Sequence, residues 1–462
     1  MVIEGTRRFN AVIDELSRSE LLALQWRKIQ HQLRFLYTRN PFYRAALDAA
    51  GVRPDDLRSL EEFRERVPTC TKLDLLADQT ESPPYGARLG IDPRRVVMTY
   101  TTSGTSGVGQ EVYGHSWQDA LMSGTKYLEG PLHLAGLRPG DRVFAMTPIM
   151  MLAFGLMVAE TMRLASFNEF EVFGLDSAAK LSAMKRFGAE AMVVTPAHLA
   201  RLSTMCKETG LDPRVDFPGL KAIMVAGQSY PLELARSLEA FWGTKLYETY
   251  GSSQGLGHVG ATCERGAIAD GERGAIHIFE HHELLEVLDP DTGEHVAPGE
   301  IGMGVITNLD VEGSPLLRFK TYDRMRWLGD TCACGRPAGA IEAGTMDRYD
   351  DMVKVRGMNV WPQTIDDLLF GAGVEEYVAD VSVDETELEQ VDIRFALTAE
   401  RRRSLSDRER ASLLAHLGEE IKSTTNVSMR LEEVERSALP TFEFKAVRWN
   451  DRRQADLAKK VW

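Results

Sequence analysis

The sequence is poor in cysteine and lacks a long uninterrupted apolar run. Five cysteines among 462 residues argue against a disulfide framework, because the number is odd and the chain is large, and they leave metal binding open. The most apolar segment, Phe144 to Ala159, is interrupted by Thr147, Pro148 and Gly155, so we expect a buried strand, a turn and a core helix there and no membrane span. The first residues also lack the apolar run of a secretion signal, and we therefore expect a cytoplasmic location.

Positive charge is also in short supply. Lysine and arginine together number 54 against 68 aspartates and glutamates, which gives a formal net charge of -14. Such a chain repels a phosphate backbone and has no broad basic surface, so nucleic acids and acidic membranes are poor candidate partners. The hydrophobic content of 44% is that of a globular protein, and the length exceeds what one core can organise, so we expect at least two domains.

Hydrophobic patterns predict an α/β body. From Phe9 to Leu36 apolar residues recur at helical spacing, which predicts an amphipathic helical opening. Short β-type runs at 142–146, 191–194 and 222–225 then alternate with helical segments, as in a layered structure with a parallel sheet. Between Ile276 and Trp327 strands separated by polar turns predict an antiparallel, barrel-like portion.

The pattern changes again after residue 350. Strand-like segments at 376–383, 391–397 and 427–431, with a charged helix at 408–422, predict a small separate α+β domain. We therefore predict an N-terminal domain over residues 1–349 and a C-terminal domain over residues 350–462.

The strongest local motif is a loop rich in hydroxyls and glycine that follows a β-type run. Its residues are Thr102, Ser103, Gly104, Thr105, Ser106 and Gly107. Glycine lets backbone N–H groups close around a phosphate, and serine or threonine hydroxyls add donors, so a phosphate-binding loop is one interpretation. A plain surface loop is the other interpretation. The loop is not of the Walker type, because the Gly-Lys-Ser/Thr ending is missing.

This loop resembles the S-S-G-T-T-G-K-P loop of the adenylate-forming superfamily, and further segments resemble the phenylacetate-CoA ligase branch of that superfamily in the same order. These segments are Asn40-Pro41-Phe42-Tyr43, Pro68 to Leu75, Ala226-Gly227-Gln228, Tyr250-Gly251-Ser252-Ser253-Gln254, Arg318 to Asp323, Asp347 to Gly357, Ala438-Leu439-Pro440 and Lys445 to Arg448. The resemblance covers most of the chain, from about residue 40 to 445.

The resemblance implies a fold and a reaction. The fold is a large adenylate-forming domain of layered α/β sheets with a barrel-like portion, followed by a small mobile α+β domain with its hinge near Asp350. The reaction is activation of an aromatic carboxylic acid by ATP and Mg²⁺ to an aryl-adenylate, which then passes to coenzyme A. Two alternatives stay open: transfer to a carrier-protein thiol or another nucleophile, and a catalytically degenerate nucleotide-binding homologue. Relatives of this branch are often homodimers.

The resemblance also implies roles for individual residues. Lys445 would offset the negative charge that develops at the α-phosphate, and Asp323 would accept hydrogen bonds from the ribose hydroxyls. Besides the loop, the implied ATP- and AMP-binding residues are Gly227, Tyr250, Gly251, Ser252, Ser253, Asp323, Arg348 and Lys354. The implied acyl pocket comprises Phe154, Gly155, His198, Ala226 and Tyr250. This set is mainly apolar and suits a flat aromatic ring.

The chain departs from the family pattern at several positions. Val108-Gly109 stands where the loop usually has Lys-Pro, so a cation near the phosphates is missing, and Lys72 is a candidate to replace it. Gln254 stands where the family has the metal-binding glutamate, and it could ligate Mg²⁺ only through its uncharged carbonyl oxygen. Tyr322 and Phe444 each occupy a position where the family has glycine.

A second constellation predicts a structural zinc site. His258 and Cys263 lie close in sequence, and Cys332 and Cys334 form a tight pair before a glycine. Two short-range pairs of soft ligands suit tetrahedral Zn²⁺, and some relatives in this branch carry a His-Cys-Cys-Cys site in the matching segments. Four unrelated residues are the alternative interpretation. We expect Cys70 and Cys206 to serve in packing.

Overall fold

The structure is a computed structural model that describes residues 11–102, 109–127, 132–146, 159, 162–164, 166–330, 332–349, 352–383, 388–442 and 446–453. Within these ranges no helix combines the length and the apolar character needed to traverse a bilayer. All five cysteines are free, and Cys70 and Cys206 are buried, as packing residues should be.

The helices are, in chain order, α1 (Ala11–Asp14), α2 (Arg18–Arg39), α3 (Pro41–Ala49), α4 (Leu60–Arg66), α5 (Lys72–Glu81), α6 (Trp117–Tyr127), α7 (Ser177–Phe187), α8 (Pro196–Thr209), α9 (Pro213–Asp216), α10 (Leu232–Trp242), α11 (Pro362–Gly371), α12 (Ala399–Ser404) and α13 (Asp407–Thr425).

The strands are β1 (Met98–Thr101), β2 (Val112–His115), β3 (Arg142–Ala145), β4 (Asn168–Glu171), β5 (Ala191–Val194), β6 (Ala222–Ala226), β7 (Leu246–Ser252), β8 (Gly257–Thr262), β9 (Ile268–Ala269), β10 (Glu272–Arg273), β11 (Ala275–Ile278), β12 (Glu283–Leu288), β13 (Ile301–Asn308), β14 (Phe319–Gly329), β15 (Ala340–Glu342), β16 (Asp347–Arg348), β17 (Val353–Val355), β18 (Met358–Val360), β19 (Val374–Val383), β20 (Glu389–Leu397), β21 (Arg430–Glu433) and β22 (Trp449–Asp451).

The helical opening forms as its apolar periodicity predicts. Helix α2 begins at a capping box in which Ser17 and Glu20 each accept a hydrogen bond from the other's backbone N–H group. Its buried face includes Ile29, Leu33 and Leu36, which pack into a core shared with the segment that leads into β14. The helix is therefore scaffold for the large domain.

One twelve-stranded sheet organises the large domain. Its order is β12-β13-β14-β15-β11-β8-β7-β6-β5-β3-β4, and β16 pairs with β14 off this path. Strands β4, β3, β5, β6 and β7 are parallel, and every residue of β5 and β6 is buried, as expected where helices cover both faces. Strand β3 confirms the predicted strand within the apolar segment, whereas residues 147–158 lie outside the described residues.

The antiparallel portion continues this same sheet. Strand β8 pairs antiparallel with β7 after a tight turn in which Leu256 and Gly257 both have positive φ. From β8 to β12 every successive pair in the sheet order is antiparallel, which confirms the strand pattern predicted between Ile276 and Trp327. The two halves therefore meet at β7, which carries the Tyr-Gly-Ser-Ser-Gln motif.

The C-terminal part has a core of its own. Strands β21, β20, β19 and β22 form a four-stranded sheet, which agrees with the α+β domain predicted for this part of the chain. Ile365 of α11 and Leu417 and Ile421 of α13 pack with the sheet residues Tyr377 and Phe395 in one apolar cluster, whose members all lie between residues 353 and 449.

Polar contacts join this part to the large domain. Arg273 forms an ion pair with Asp367 at 3.3 Å, and Gln363 donates a hydrogen bond to the carbonyl of Gly344 at 3.3 Å. The guanidinium of Arg324 lies 4.8 Å from the ring centre of Trp361. Beside these contacts is a cavity of about 600 Å³, lined from both sides.

Candidate active site

A tyrosine, an aspartate and an arginine from three strands of the large sheet meet in one place. Tyr250 of β7 donates a hydrogen bond to Asp323 Oδ2 at 2.6 Å, and Arg348 of β16 approaches Asp323 Oδ1 at 3.3 Å. Asp323 and Arg348 are directly paired in the register of β14 and β16. Burial, followed by the charge of Asp323, raises the pKa of Tyr250 well above its usual value, so its hydroxyl stays a donor. These three predicted nucleotide-binding residues therefore form one cluster.

The backbone of Tyr322 explains why the family has glycine beside this aspartate. Tyr322 has a φ of 61°, in the left-handed region where glycine is unstrained and a bulky residue is uncommon. The next residue is held in place because Asp323 donates its backbone N–H to Thr321 Oγ1 at 3.0 Å. The departure at Tyr322 thus preserves the backbone conformation that presents Asp323.

Two predicted pocket residues lie at the carboxyl edge of the parallel strands, where open α/β sheets bind ligands. Ala226 ends β6, and Gly227 follows with a φ of 81°, a turn that favours glycine. His198 lies in the first turn of α8, just beyond β5, and is buried. Burial lowers the pKa of His198 to about 4, so its ring is neutral near pH 7.

The hydroxyl-rich loop connects β1 to β2. Thr102 is buried, donates its backbone N–H to the carbonyl of Glu111 at 3.1 Å and accepts a hydrogen bond from Gln110 Nε2 at 3.0 Å through its carbonyl. Ser103, Gly104, Thr105, Ser106 and Gly107 lie outside the described residues. The two ends of the loop are thus joined by hydrogen bonds.

A buried network ties the strand before this loop to the Tyr-Gly-Ser-Ser-Gln motif. The hydroxyl of Tyr100 donates to the carbonyl of Ser253 at 2.9 Å and lies 2.9 Å from His115 Nε2. His115 Nδ1 is in turn 3.4 Å from Asp119, which accepts backbone N–H groups of Ser116 and Gly313. The sequence analysis did not identify this network, although Tyr100 and His115 lie on the two short strands β1 and β2, which pair with each other.

The turn after β7 holds the remaining motif residues. Gly251 and Ser252 end the strand, and Ser252 donates its hydroxyl to Gln254 Oε1 at 2.8 Å. The amide nitrogen of Gln254 donates to Glu111 Oε1 at 3.2 Å. Gln254 therefore contacts a carboxylate from the exit of the hydroxyl-rich loop.

Other predicted residues lie farther out or are not described. Lys354 is exposed on β17, and its carbonyl accepts a hydrogen bond from Arg453 at 2.6 Å. Phe154, Gly155, Asp350 and Lys445 lie outside the described residues. On either side of Asp350 in sequence, β16 and β17 pair in different sheets.

A cluster of four side chains that could hold a metal ion contains a different histidine from the predicted one. Cys263, His277, Cys332 and Cys334 offer ligand atoms that all lie within 4.8 Å of one another. Strand β11 pairs with β8 so that His277 faces Ala261, two residues before Cys263. The same strand pairs with β15, which follows the loop of Cys332 and Cys334, and Cys334 Sγ lies 3.3 Å from His277 Nε2.

His258, the predicted ligand, is not part of this cluster, and the reason is geometric. His258 and Cys263 are five residues apart along β8 and its end, a span of about 16 Å in an extended strand. An odd separation also directs the two side chains to opposite faces of the sheet. His258 is buried and its Nδ1 lies 2.6 Å from Thr249 Oγ1. The pairing of β8 with β11 was the signal that could have identified His277.

The four groups in this cluster shift one another's pKa through hydrogen bonds. Hydrogen bonds with Cys263 and then Cys332 lower the pKa of Cys334. Burial opposes protonation of His277, but hydrogen bonds with Cys332 and Cys334 raise its pKa to about 9. Soft sulfur ligands with one imidazole are a donor set that Zn²⁺ favours.

Comparison with known proteins places these features in a family. The model of the AMP-binding enzyme family matches residues 27–308, more than half of the chain, and the model of the AMP-binding enzyme C-terminal domain matches residues 357–453. Phenylacetate-coenzyme A ligase from Thermus thermophilus is 29% identical over 359 residues, 77% of each chain. The enzyme of the same name from Pseudomonas putida is 27% identical over 446 residues, 96% of each chain.

Solved structures agree with the fold. A 2-hydroxyisobutyryl-CoA ligase in its postadenylation state matches with a TM-score of 0.86 at 22% identity, covering 100% of this chain and 96% of that chain. The same enzyme in its thioesterification state matches with a TM-score of 0.70, at 22% identity and the same coverage. The arrangement of this chain is therefore more similar to the first state. The predicted fold, an adenylate-forming domain followed by a smaller C-terminal domain, is confirmed, and the chain belongs to the AMP-binding enzyme family.

Proposed function

We propose that this protein is an AMP-forming aryl-CoA ligase, which uses ATP to convert an aromatic carboxylic acid to an aryl-adenylate and then transfers the acyl group to coenzyme A. The observation that carries the proposal is the contact of Asp323 with Tyr250 and Arg348 beside the motif-bearing turn. The similarity to phenylacetate-coenzyme A ligases over nearly the whole chain supports the same reaction class.

The first half-reaction requires the nucleotide to be held at the ribose and at the phosphates. Asp323 can accept hydrogen bonds from both ribose hydroxyls, because an ionised carboxylate offers four lone-pair sites. Arg348, whose guanidinium lies 3.3 Å from Asp323 Oδ1, holds that carboxylate in place. The loop from Thr102 to Gly107 would bind the phosphates through its backbone N–H groups and hydroxyls, and Gly227, Gly251, Ser252 and Ser253 would border the nucleotide.

The carboxylate of the acid attacks the α-phosphate, and pyrophosphate leaves. In the proposal Lys445 stabilises the negative charge that grows during this attack, and Lys354 is a further residue that binds the nucleotide. Rotation about Asp350 would then withdraw Lys445 and open the site to the thiol. Polar contacts between the domains, such as the ion pair of Arg273 with Asp367, are compatible with such a rotation.

The acyl pocket is proposed to accept an aromatic ring. Tyr250 is buried and directly follows Thr249, which is paired with Ala226 at the carboxyl end of β6. His198 is neutral and buried, so it adds a flat surface without charge. Phe154 and Gly155, which lie outside the described residues, would add to a pocket suited to benzoate-like or arylacetate acids.

Two metals belong to the proposal. Mg²⁺ would enter with ATP and neutralise phosphate charge, with Gln254 among its oxygen ligands. Zn²⁺ would bind Cys263, His277, Cys332 and Cys334, a set whose proximity and burial suit a closed structural site. That site would fix the loop after β14 against β8 and β11, and so support the strand that carries Asp323.

An acid panel tests the function. Purified protein is incubated with Mg-ATP and benzoate, aminobenzoates or phenylacetate, with and without coenzyme A, while pyrophosphate and thioester are measured. We expect pyrophosphate release with at least one acid and thioester only when coenzyme A is present. Release without any thioester would favour a carrier-protein thiol or another acceptor. The absence of release with every acid would favour the catalytically degenerate homologue.

Location and assembly complete the proposal. Five free cysteines suit a reducing compartment, and we place the protein in the cytoplasm. A homodimer, which the resemblance implies, stays a prediction that light scattering of the purified protein can test.

A further inference from the structure

Glu111 places a fully buried carboxylate at the neck of the hydroxyl-rich loop. It immediately precedes β2, and the backbone hydrogen bond between Glu111 and Thr102 closes the loop at its base. The side chain of Glu111 has no exposed surface. Burying a charged group costs free energy unless neighbouring groups pair with it or donate hydrogen bonds to it. The neighbours of Glu111 therefore indicate its role.

Three side chains surround this carboxylate. Thr102 donates its hydroxyl to Glu111 Oε2 at 2.5 Å, and the ammonium of Lys72 lies 3.4 Å from the same oxygen. Gln254 donates its amide to the other oxygen, Oε1, at 3.2 Å. The carboxylate of Glu111 therefore contacts Thr102 at the base of the hydroxyl-rich loop and the ammonium of Lys72. It also contacts Gln254, which stands where the family has its metal-binding glutamate.

The contact with Gln254 explains why residue 254 carries no charge. A glutamate at position 254 would set a second carboxylate about as far from Glu111 as the amide now lies. Two like charges at such a distance in a buried site repel strongly, and one of them would have to take up a proton. An amide at 254 removes this conflict and donates a hydrogen bond instead. The negative charge missing at residue 254 is thus present next to it, on Glu111.

We propose that Glu111 is the carboxylate that binds the divalent cation accompanying ATP, and that it supplies the charge which the family's glutamate at position 254 would otherwise supply. The proposal rests on the ATP-dependent function proposed above and goes further by assigning a ligand. Mg²⁺ prefers carboxylate and carbonyl oxygens. Glu111 offers a carboxylate, and Gln254 offers the carbonyl oxygen of its side-chain amide. Lys72, held beside Glu111, supplies at the same place a positive charge that the loop itself lacks.

Metal binding measured without turnover tests the assignment. Mn²⁺ replaces Mg²⁺, and its binding is followed by electron paramagnetic resonance in the presence of a non-hydrolysable ATP analogue. Glu111→Gln should weaken Mn²⁺ binding by about tenfold or more, because the one charged protein ligand is lost. The double variant Glu111→Gln/Gln254→Glu should recover most of that affinity, since it returns the carboxylate to position 254. The control Glu312→Gln, which removes a carboxylate paired with Arg95 elsewhere, should bind Mn²⁺ as the wild type does.

The single variant Gln254→Glu keeps the test decisive if Glu111→Gln does not fold. It should bind Mn²⁺ more tightly than the wild type and gain more thermal stability from the metal, because the ion then separates two carboxylates. Unchanged Mn²⁺ affinity in either single variant overturns the assignment of Glu111. A wild-type protein that binds neither the analogue nor the metal with it overturns the proposed function as well, so the two failures are distinguishable.

Discussion

The hydroxyl of Tyr250 and the carboxylate of Asp323 are hydrogen-bonded to each other at 2.6 Å across two strands that are distant in sequence. Tyr250 is the donor, so one oxygen of Asp323 is engaged before any nucleotide arrives. A ribose that binds Asp323 must share or displace this hydrogen bond. Asp323 should therefore increase the affinity for ATP, whereas the hydroxyl of Tyr250 should decrease it.

Replacing Asp323 with asparagine should weaken ATP use. Asparagine keeps the shape but offers one acceptor oxygen and no charge, and hydrogen bonds to a charged acceptor contribute about 1.5–3 kcal/mol, so kcat/KM for ATP should fall by about 10- to 100-fold. The measurement is acid-dependent pyrophosphate release at varied ATP. Tyr250→Phe, which removes only the competing hydroxyl, should leave KM for ATP unchanged or lower. An Asp323→Asn enzyme with wild-type KM for ATP would exclude the ribose contact.

Lys445→Ala should separate the two half-reactions. Removal of one preorganised positive charge at the α-phosphate should lower the rate of aryl-adenylate formation by about 10²- to 10³-fold. Thioester formation from synthetic aryl-AMP and coenzyme A should be largely unaffected, because that step does not use the lysine in the proposed scheme. Both steps are followed by chromatography of the products. Lys422→Ala removes an exposed lysine of α13 and serves as the control. Equal losses in both half-reactions would contradict the two-conformation scheme.

Variants of His277 and His258 can show which of the two histidines binds zinc. Wild-type protein should contain about one zinc per chain, as expected for a closed four-ligand site. His277→Ala and Cys334→Ser should lower both the zinc content and the midpoint of thermal unfolding, because the loop after β14 loses its attachment. His258→Gln should keep its zinc. Metal content by mass spectrometry decides the matter, and loss of zinc in the His258 variant with retention in the His277 variant would refute the assignment.

Acidification should destabilise the protein through His258. Burial, followed by the positive charge of Lys126, lowers the pKa of His258 to about 3, whereas in an unfolded chain it is about 6.5. The folded pKa is the lower one, so the unfolded chain binds more protons within this window. The contribution of neutral His258 is fully present above about pH 6.5 and is lost as pH falls toward 3.

The variant His258→Gln isolates this effect. Relative to the variant, the wild type should lose up to about 1.4 kcal/mol of unfolding free energy per pH unit between about pH 6 and 4. Denaturant unfolding of both proteins at several pH values gives the difference, and the constant offset from the lost contact with Thr249 does not affect its slope. Stability curves that stay parallel over this range would show that His258 does not titrate as described.

Local signals in the sequence predicted most of the fold. Strand-helix alternation identified β3, β5 and β6, because parallel strands buried on both faces are continuous apolar runs. The helical opening and the C-terminal α+β domain followed from periodicity in the same way. The union of the parallel and antiparallel halves into one sheet could not be read from these signals, since it depends on which strands pair across long separations.

The candidate site shows the same division. Motif order identified Tyr250, Asp323 and Arg348, whose mutual contact the structure then displays. Proximity in sequence selected His258 and missed His277, because ligands from paired strands are neighbours only through the register. Glu111 was missed for a related reason: it belongs to no motif, and only its contacts with Lys72 and Gln254 reveal its position.

The self-contained core of the C-terminal domain has a practical consequence. Among the described residues, all members of its apolar cluster lie between residues 353 and 449, and ion-pair, amide and cation–π contacts join it to the rest of the chain. A partly exposed ion pair such as that of Arg273 with Asp367 contributes no more than about 1 kcal/mol. We therefore expect the C-terminal domain to fold when it is expressed by itself. We also expect that it can be fused to the large domain of a related enzyme without changing the core residues of either domain.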